Sequence, residues 1–136
     1  YLLNQPYKEE YCMLGNKDGV ENPDSSEYRE YLTERFKNLN QLPEVLVCAN
    51  DFVALDTMHV LRELGYSVPE DVCICGFDDS PESKIIAPSL TTIHIHSQIM
   101  GFSAVHLLMS RIKNPSLNYR TMYTETSLIY RKSTGD

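Results

Sequence analysis

Val68–Ile93, VPEDVCICGFDDSPESKIIAPSLTTI, decides the fold of this chain. Its apolar run Val72–Phe77 reads as a strand covered on both faces, the habit of strands in parallel sheets. Two acids, Asp78 and Asp79, follow at the carboxyl end of that strand. Ser80-Pro81-Glu82 then opens a short helix, with proline at the first helical position. A second strand is expected over Thr91–Ile95. Nothing in the stretch pairs a nucleophile with a base. Such a stretch is expected to hold a small polar molecule.

The same alternation continues on both sides. Pro43 sets up the apolar run Val45–Ala49 (VLVCA), Asn50 or Asp51 caps a helix over Phe52–Leu64, and Gly65 supplies its left-handed stop. Further upstream, Tyr11–Gly15 is a strand candidate and Asn16–Ser26 a loop rich in turn formers. A helix over Glu27–Asn38, capped by Ser25 or Ser26, carries Tyr28, Tyr31, Leu32 and Phe36 near one face. Downstream, Ser97 is expected to cap a helix over Gln98–Lys113, and Met122–Tyr130 reads as a final strand. Short apolar runs alternating with amphipathic segments are the pattern of βα units, so the expected class is α/β with a parallel sheet.

The helix over Phe52–Leu64 has two apolar stripes. Val53, Thr57, Val60, Leu61 and Leu64 suit packing on the sheet. Leu55 and Met58, beside His59 and Arg62, form a second stripe turned away from the first. That stripe serves either a helix buried on two sides within one chain or a subunit interface.

With 136 residues, the chain is one domain or part of one. It begins at Tyr1 rather than Met and is expected to be a piece of a longer polypeptide. Its formal charge of −7 repels phosphate, so this piece is not expected to grip nucleic acid by itself. No run approaches the ~18 apolar residues of a membrane span, and no segment resembles a signal peptide. Cys12, Cys48, Cys73 and Cys75 all sit in apolar, strand-like stretches, which points to reduced core thiols and a cytoplasmic location.

In parallel α/β sheets, ligands bind beyond the carboxyl ends of the strands. Two consecutive strands here end in polar residues, Asn50-Asp51 and Asp78-Asp79. An amide beside a carboxylate suits hydroxyls on a sugar or the edge of a base. The second acid of each pair has the plainer task of supporting the helix that follows. His94 and His96 lie two apart on a strand and could share a face, but no third metal ligand stands at fixed spacing, and metal-free histidines are expected. Cys73 and Cys75 are inside an apolar strand, which raises a thiol pKa and hides the sulfur. Ser80 has no strand–Gly–Ser–Gly elbow around it, and no glycine-rich phosphate loop occurs. Arg111, Lys113, Arg120, Arg131 and Lys132 are dispersed and read as solvated surface. No catalytic residue and no cofactor is expected.

The stretch ANDFVALDTMHVLRELGYSVPEDVCICGFDDSPESKIIAPSLTTI, followed by Gly101, Ala104, Leu108 and the ending TETSLIYRKST, resembles bacterial transcriptional regulators of the LacI/GalR family. The shared pattern is an Asn-Asp pair opening a helix, Gly–x–x–Val-Pro, a Gly-Phe-Asp-Asp strand end and Pro–x–Leu-Thr-Thr. Agreement runs from about Leu42 to Thr134. The resemblance implies a periplasmic-binding-protein-like fold of two lobes with an effector in the cleft. Residues 1–95 would be part of the carboxyl-terminal lobe. Residues 96–136 would supply a crossover helix and strand to the amino-terminal lobe, and the DNA-reading head would be absent.

By the same resemblance, Asn50 and Asp78 would bind the effector, with His96 and Ser97 at the cleft mouth. Leu55, Met58, Ile85 and Ile86 would lie at the interface of a homodimer. Ile95 stands where many relatives carry a polar residue, commonly glutamine, which bears on effector identity. Asp56 replaces a frequent glycine and bears on the dimer contact. The implied protein is a cytoplasmic switch rather than an enzyme, with a sugar or related effector, DNA contacts only through the missing head, and no membrane contact. The alternatives are the sugar-binding component of a transporter and a small flavodoxin-like enzyme. Missing strands would also expose a sheet edge and favour self-association.

Overall fold

The computed structural model describes residues 26–135. The elements in chain order are α1 (Ser26–Lys37), β1 (Val45–Val47), α2 (Asp51–Glu63), β2 (Cys73–Cys75), α3 (Pro81–Ile85), β3 (Thr92–Ile95), α4 (Ser97–Lys113) and β4 (Thr126–Ile129), closed by a 3-10 turn over Lys132–Thr134. The strand candidate Tyr11–Gly15, with Cys12, and nearly all of the loop after it lie outside the described residues.

The apolar runs form the sheet as expected. β1 and β2 pair in parallel, with Val45 opposite Cys73 and Val47 opposite Cys75. Beyond β2, single bridges join Cys75 to Thr91 and Asp78 to His94, both parallel. β3 then pairs antiparallel with β4, from Thr92 opposite Ile129 to Ile95 opposite Thr126. The strands thus succeed one another in the order β1, β2, β3, β4. All are shorter than the apolar runs that announced them. Pairing after β2 is broken by Asp78 and Asp79, whose φ values of +115° and +55° turn the backbone away from an extended path.

The core lies where α1 and α2 meet the sheet. Tyr28, Leu32 and Phe36, spaced one helical turn apart, bury one face of α1 against Ala54, Met58, Val60 and Leu61 of α2, with Val72, Ile74 and Leu90 in the same cluster. Each such side chain contributes about 1.5–3 kcal/mol by leaving water. Tyr31 is only partly buried. α2 is therefore buried on two sides within one chain, and Met58, expected at a subunit interface, belongs to its own core at 5% exposure. The rest of that stripe is more open: Leu55 and His59 are half-buried and Arg62 is exposed.

Asp56 follows the same logic. It is buried, and its Oδ1 accepts a 2.6 Å hydrogen bond from Arg29 Nε of α1. It acts between two helices of one chain rather than at the dimer contact expected for it.

α4 contrasts with the rest. None of its residues is buried, and Ile99, Phe102, Val105, Leu108 and Ile112 are all more than half exposed. The chain then returns. Ser133 Oγ donates to the Ile74 carbonyl at 2.6 Å and accepts from Thr91 N–H at 2.8 Å. These last residues, expected with the other lobe, therefore pack on β2.

Candidate functional site

Two short loops build the edge at the carboxyl ends of β1 and β2. Asn50 is the N-cap of α2, and its Oδ1 accepts from Val53 N–H at 2.9 Å. That bond commits the amide oxygen and leaves the Nδ2 donors available. The next residue, Asp51, is fully buried. Its Oδ1 accepts from Thr92 Oγ1 at 2.6 Å and its Oδ2 from Ser80 N–H at 2.7 Å. Asp51 is thus the structural acid of its pair. It fastens the end of β1 to β3 and to the start of α3, where Ser80 caps the helix through Ser83 N–H at 3.3 Å.

Asp78 and Asp79 divide the same way. Asp78 is exposed, and its backbone N–H donates to the Ile93 carbonyl at 2.9 Å. Asp79 turns inward, with its carboxylate bonded to Arg131, 3.0 Å from His94 Nδ1 and 3.5 Å from Lys84 Nζ. Burial alone would push this carboxyl up. The hydrogen bonds from Arg131 and His94 outweigh it and hold Asp79 below its ordinary value.

Asn50 and Asp78 flank one backbone hydrogen bond, Asp51 N–H to the Phe77 carbonyl at 2.9 Å. The amide and the free carboxylate therefore stand on neighbouring segments at one edge. Asp78 is in turn the bridge partner of His94, which brings β3 alongside. The rings of His94 and His96 meet edge to face with centroids 5.0 Å apart. Because a carboxylate only accepts, His94 carries its proton on Nδ1. His96 Nε2 lies 3.3 Å from Ser127 Oγ of β4. No group of three potential metal ligands converges among the described residues.

Ser97 does not cap α4 as expected. The helix begins one residue earlier, so His96 is the cap residue, without a side-chain capping bond, and Ser97 occupies the first helical position. A recess of about 330 Å³ opens at this turn, lined by residues 94–99. Of the four residues expected at a subunit interface, Ile85 is 82% exposed, Leu55 and Ile86 are half-buried, and Met58 is in the core.

Arg131 differs most from the sequence reading. Arg131, read as solvated surface, is mostly buried; besides Asp79 it holds the Leu90 carbonyl at 2.8 Å and Ser83 Oγ at 3.0 Å. Its partners are 41 to 52 residues away in the chain, and no local pattern announces them. Burial pushes the Cys48 thiol up to about 11 and raises Cys75, while Cys73 and Cys75, expected to be hidden in their strand, are half-buried.

Residues 5–134 match the family model of the periplasmic binding protein-like domain. The chain belongs to that family. A curated relative of this periplasmic binding protein-like domain is the HTH-type transcriptional repressor PurR of Haemophilus influenzae, 39% identical over 102 residues that cover 73% of this chain and 30% of the relative. The Lac repressor dimer bound to operator and an anti-inducer is a structural neighbour, with a TM-score of 0.71 and 28% identity over 82% of this chain and 34% of that one. A LacI family regulator from Enterococcus faecium with bound ribose gives a TM-score of 0.67 and 27% identity over 82% of this chain and 41% of that one. The chain spans about 30% of the length of the curated relatives it matches. PurR and the Lac protein are repressors. Among the described residues no helix is long and apolar enough to cross a membrane.

Proposed function

We propose that this chain is the effector-binding and dimerising part of a LacI-type transcriptional repressor that answers to a sugar or a related small polar molecule. The observation that carries this reading is the pairing of Asn50 with Asp78. An amide with free donors and a carboxylate with free acceptors share one sheet edge, next to the β3–α4 turn where His96 and Ser97 lie. Hydroxyl-rich ligands match that set, since each hydroxyl both donates and accepts. The ribose held by the Enterococcus faecium neighbour is of this class. The repressor relatives favour a regulator over the transporter component.

On this reading residues 1–95 belong to the carboxyl-terminal lobe, α4 and β4 lead toward the amino-terminal one, and residues 131–134 return to β2. The uncovered apolar faces of α4 accord with a helix that packs on the rest of that lobe. DNA would be read by a separate head, in keeping with the charge of −7 on this portion. The assembly would be a cytoplasmic homodimer, with Ile85, Ile86 and Leu55 on its contact face. The effector would favour one angle between lobes, and it shifts the balance only by its difference in affinity for the two states.

A thermal-shift screen of the complete polypeptide against sugars, sugar phosphates and nucleobases tests this. A ligand at 100 times its Kd stabilises by about 2.7 kcal/mol. Asn50→Ala and Asp78→Ala should each weaken the hit at least tenfold. A hit that stabilises wild type and both variants equally would sink the assignment.

A further inference from the structure

Asp78 and Asp79 both hold backbone conformations that L residues rarely adopt, with φ of +115° and +55°. Two such residues in succession persist only where their surroundings over-determine them. The exposed carboxylate of Asp78 does not hold the turn, so the task falls to Asp79. Its N–H reaches Thr92 Oγ1 at 3.4 Å, and Lys84, His94 and Arg131 surround its carboxylate. The side chains of Lys84 and His94 are 54% and 41% exposed, against 15% for Arg131. Water screens the first two contacts, which leaves Arg131 as the strong one.

Arg131 is itself firmly placed. Its backbone N–H donates to Thr91 Oγ1 at 2.8 Å, and its guanidinium also serves the Leu90 carbonyl and Ser83 Oγ. From this we infer that Arg131 is a positioning residue for the effector edge: through Asp79 it fixes the left-handed turn that presents the Asp78 carboxylate. In this role it needs no contact with the effector. Arg131 follows directly on β4, so a displacement of β4 reaches Asp78 through one ion pair. The functional weight of the inference rests on the reading above that Asp78 binds the effector.

Hydrogen exchange of the complete polypeptide, read by mass spectrometry, tests it without a ligand. The peptide containing Asp78 and Asp79 reports the turn, and a peptide from the core of α2 reports general stability. Arg131→Gln should speed exchange at the turn at least tenfold beyond its effect on α2. Asp79→Asn should do the same. Because both changes cut one link, the double variant R131Q/D79N should exchange within about twofold of either single. Arg131→Lys keeps the charge but cannot serve three acceptors at once. It runs through the same cycle with an expected effect of about threefold, and it replaces Arg131→Gln if that variant does not fold. Exchange that rises equally in both peptides would make Arg131 a general staple and overturn the inference. So would effects that multiply in the double variant. If the exchange pattern holds while Asp78→Ala leaves a hit from the thermal-shift screen unweakened, the effector reading of Asp78 fails, and Arg131 keeps the turn but loses its part in binding.

Discussion

Asp51 and Thr92, 41 residues apart, share a buried 2.6 Å hydrogen bond that locks the end of β1 to β3. The other oxygen of the same carboxylate takes the Ser80 N–H at 2.7 Å. The candidate effector residues Asn50 and Asp78 hang from this joint, so its integrity should govern both stability and ligand affinity. Asp51→Ala leaves a buried hydroxyl and a partly buried N–H without acceptors. With ~1.5–3 kcal/mol for a hydrogen bond to a charged group, the expected loss is about 3 kcal/mol by urea denaturation. A loss under about 1 kcal/mol would show that Asp51 is not the fastening.

Gly76 adjoins that joint. A Cβ there would stand 2.2 Å from Asp51 Oδ1, 2.9 Å from Leu90 Cδ2 and 3.3 Å from the Asp51 Cα. Gly76→Ala should therefore destabilise by about 1–3 kcal/mol through overpacking. Because the clash is with Asp51, Gly76→Ala should cost less in an Asp51→Ala background. A double-mutant cycle showing simple additivity would contradict the contact.

Arg29 and Asp56 form an asymmetric pair, with side chains 48% and 6% exposed. Removing the exposed arginine strands a buried carboxylate, whereas removing the acid frees an arginine that water can reach. Arg29→Ala should destabilise by about 1–2 kcal/mol, scaled down from a fully buried pair because solvent screens the guanidinium. Asp56→Gly should cost less than Arg29→Ala. Equal losses in chemical denaturation would mean that burial of Asp56 does not dominate.

Asp79 sets an acid limit. Its folded value lies below the ordinary 3.8, so the stabilisation is present above that ordinary value and is lost as pH falls through the lowered one. Unfolding free energy of the wild type should therefore decline on the acid side. Asp79→Asn, which also removes the charge facing Arg131, should be less stable at neutral pH and show a flatter profile between about pH 5 and pH 2. Parallel profiles would show that other carboxylates carry the acid transition.

Cys48 should resist alkylation while the chain is folded, since its thiol is pushed up to about 11 and the thiolate is the reactive form. Mass spectrometry after iodoacetamide treatment near pH 8 should find Cys48 unmodified without denaturant and modified with it. Rapid labelling of Cys48 in the native protein would be inconsistent with the packing of β1 on α2.

What local order dictates was readable from the sequence. The apolar runs placed β1 and β2, the four-residue spacing of Tyr28, Leu32 and Phe36 gave the buried face of α1, and Asn50 and Ser80-Pro81 marked helix starts. The edge carrying Asn50 and Asp78 follows from those elements and the parallel pairing. Contacts between distant segments were not readable. Arg131 looks like any surface cation until the fold brings it to Asp79. Met58 suggested an interface, and nothing in α2 says that it will join the core cluster or that Arg29 of α1 will reach Asp56. The start of β4 also lay hidden, because four residues of β3 limit the pairing and leave Met122 and Tyr123 exposed.

The return of Ser133 to the centre of the molecule has a consequence for biosynthesis. Until that hydroxyl arrives, the Thr91 amide and the Ile74 carbonyl have no protein partner at the heart of the sheet. β2 and β3 are translated dozens of codons before the residue that bolts them together. This part of the fold therefore cannot close until residue 134 has left the exit tunnel.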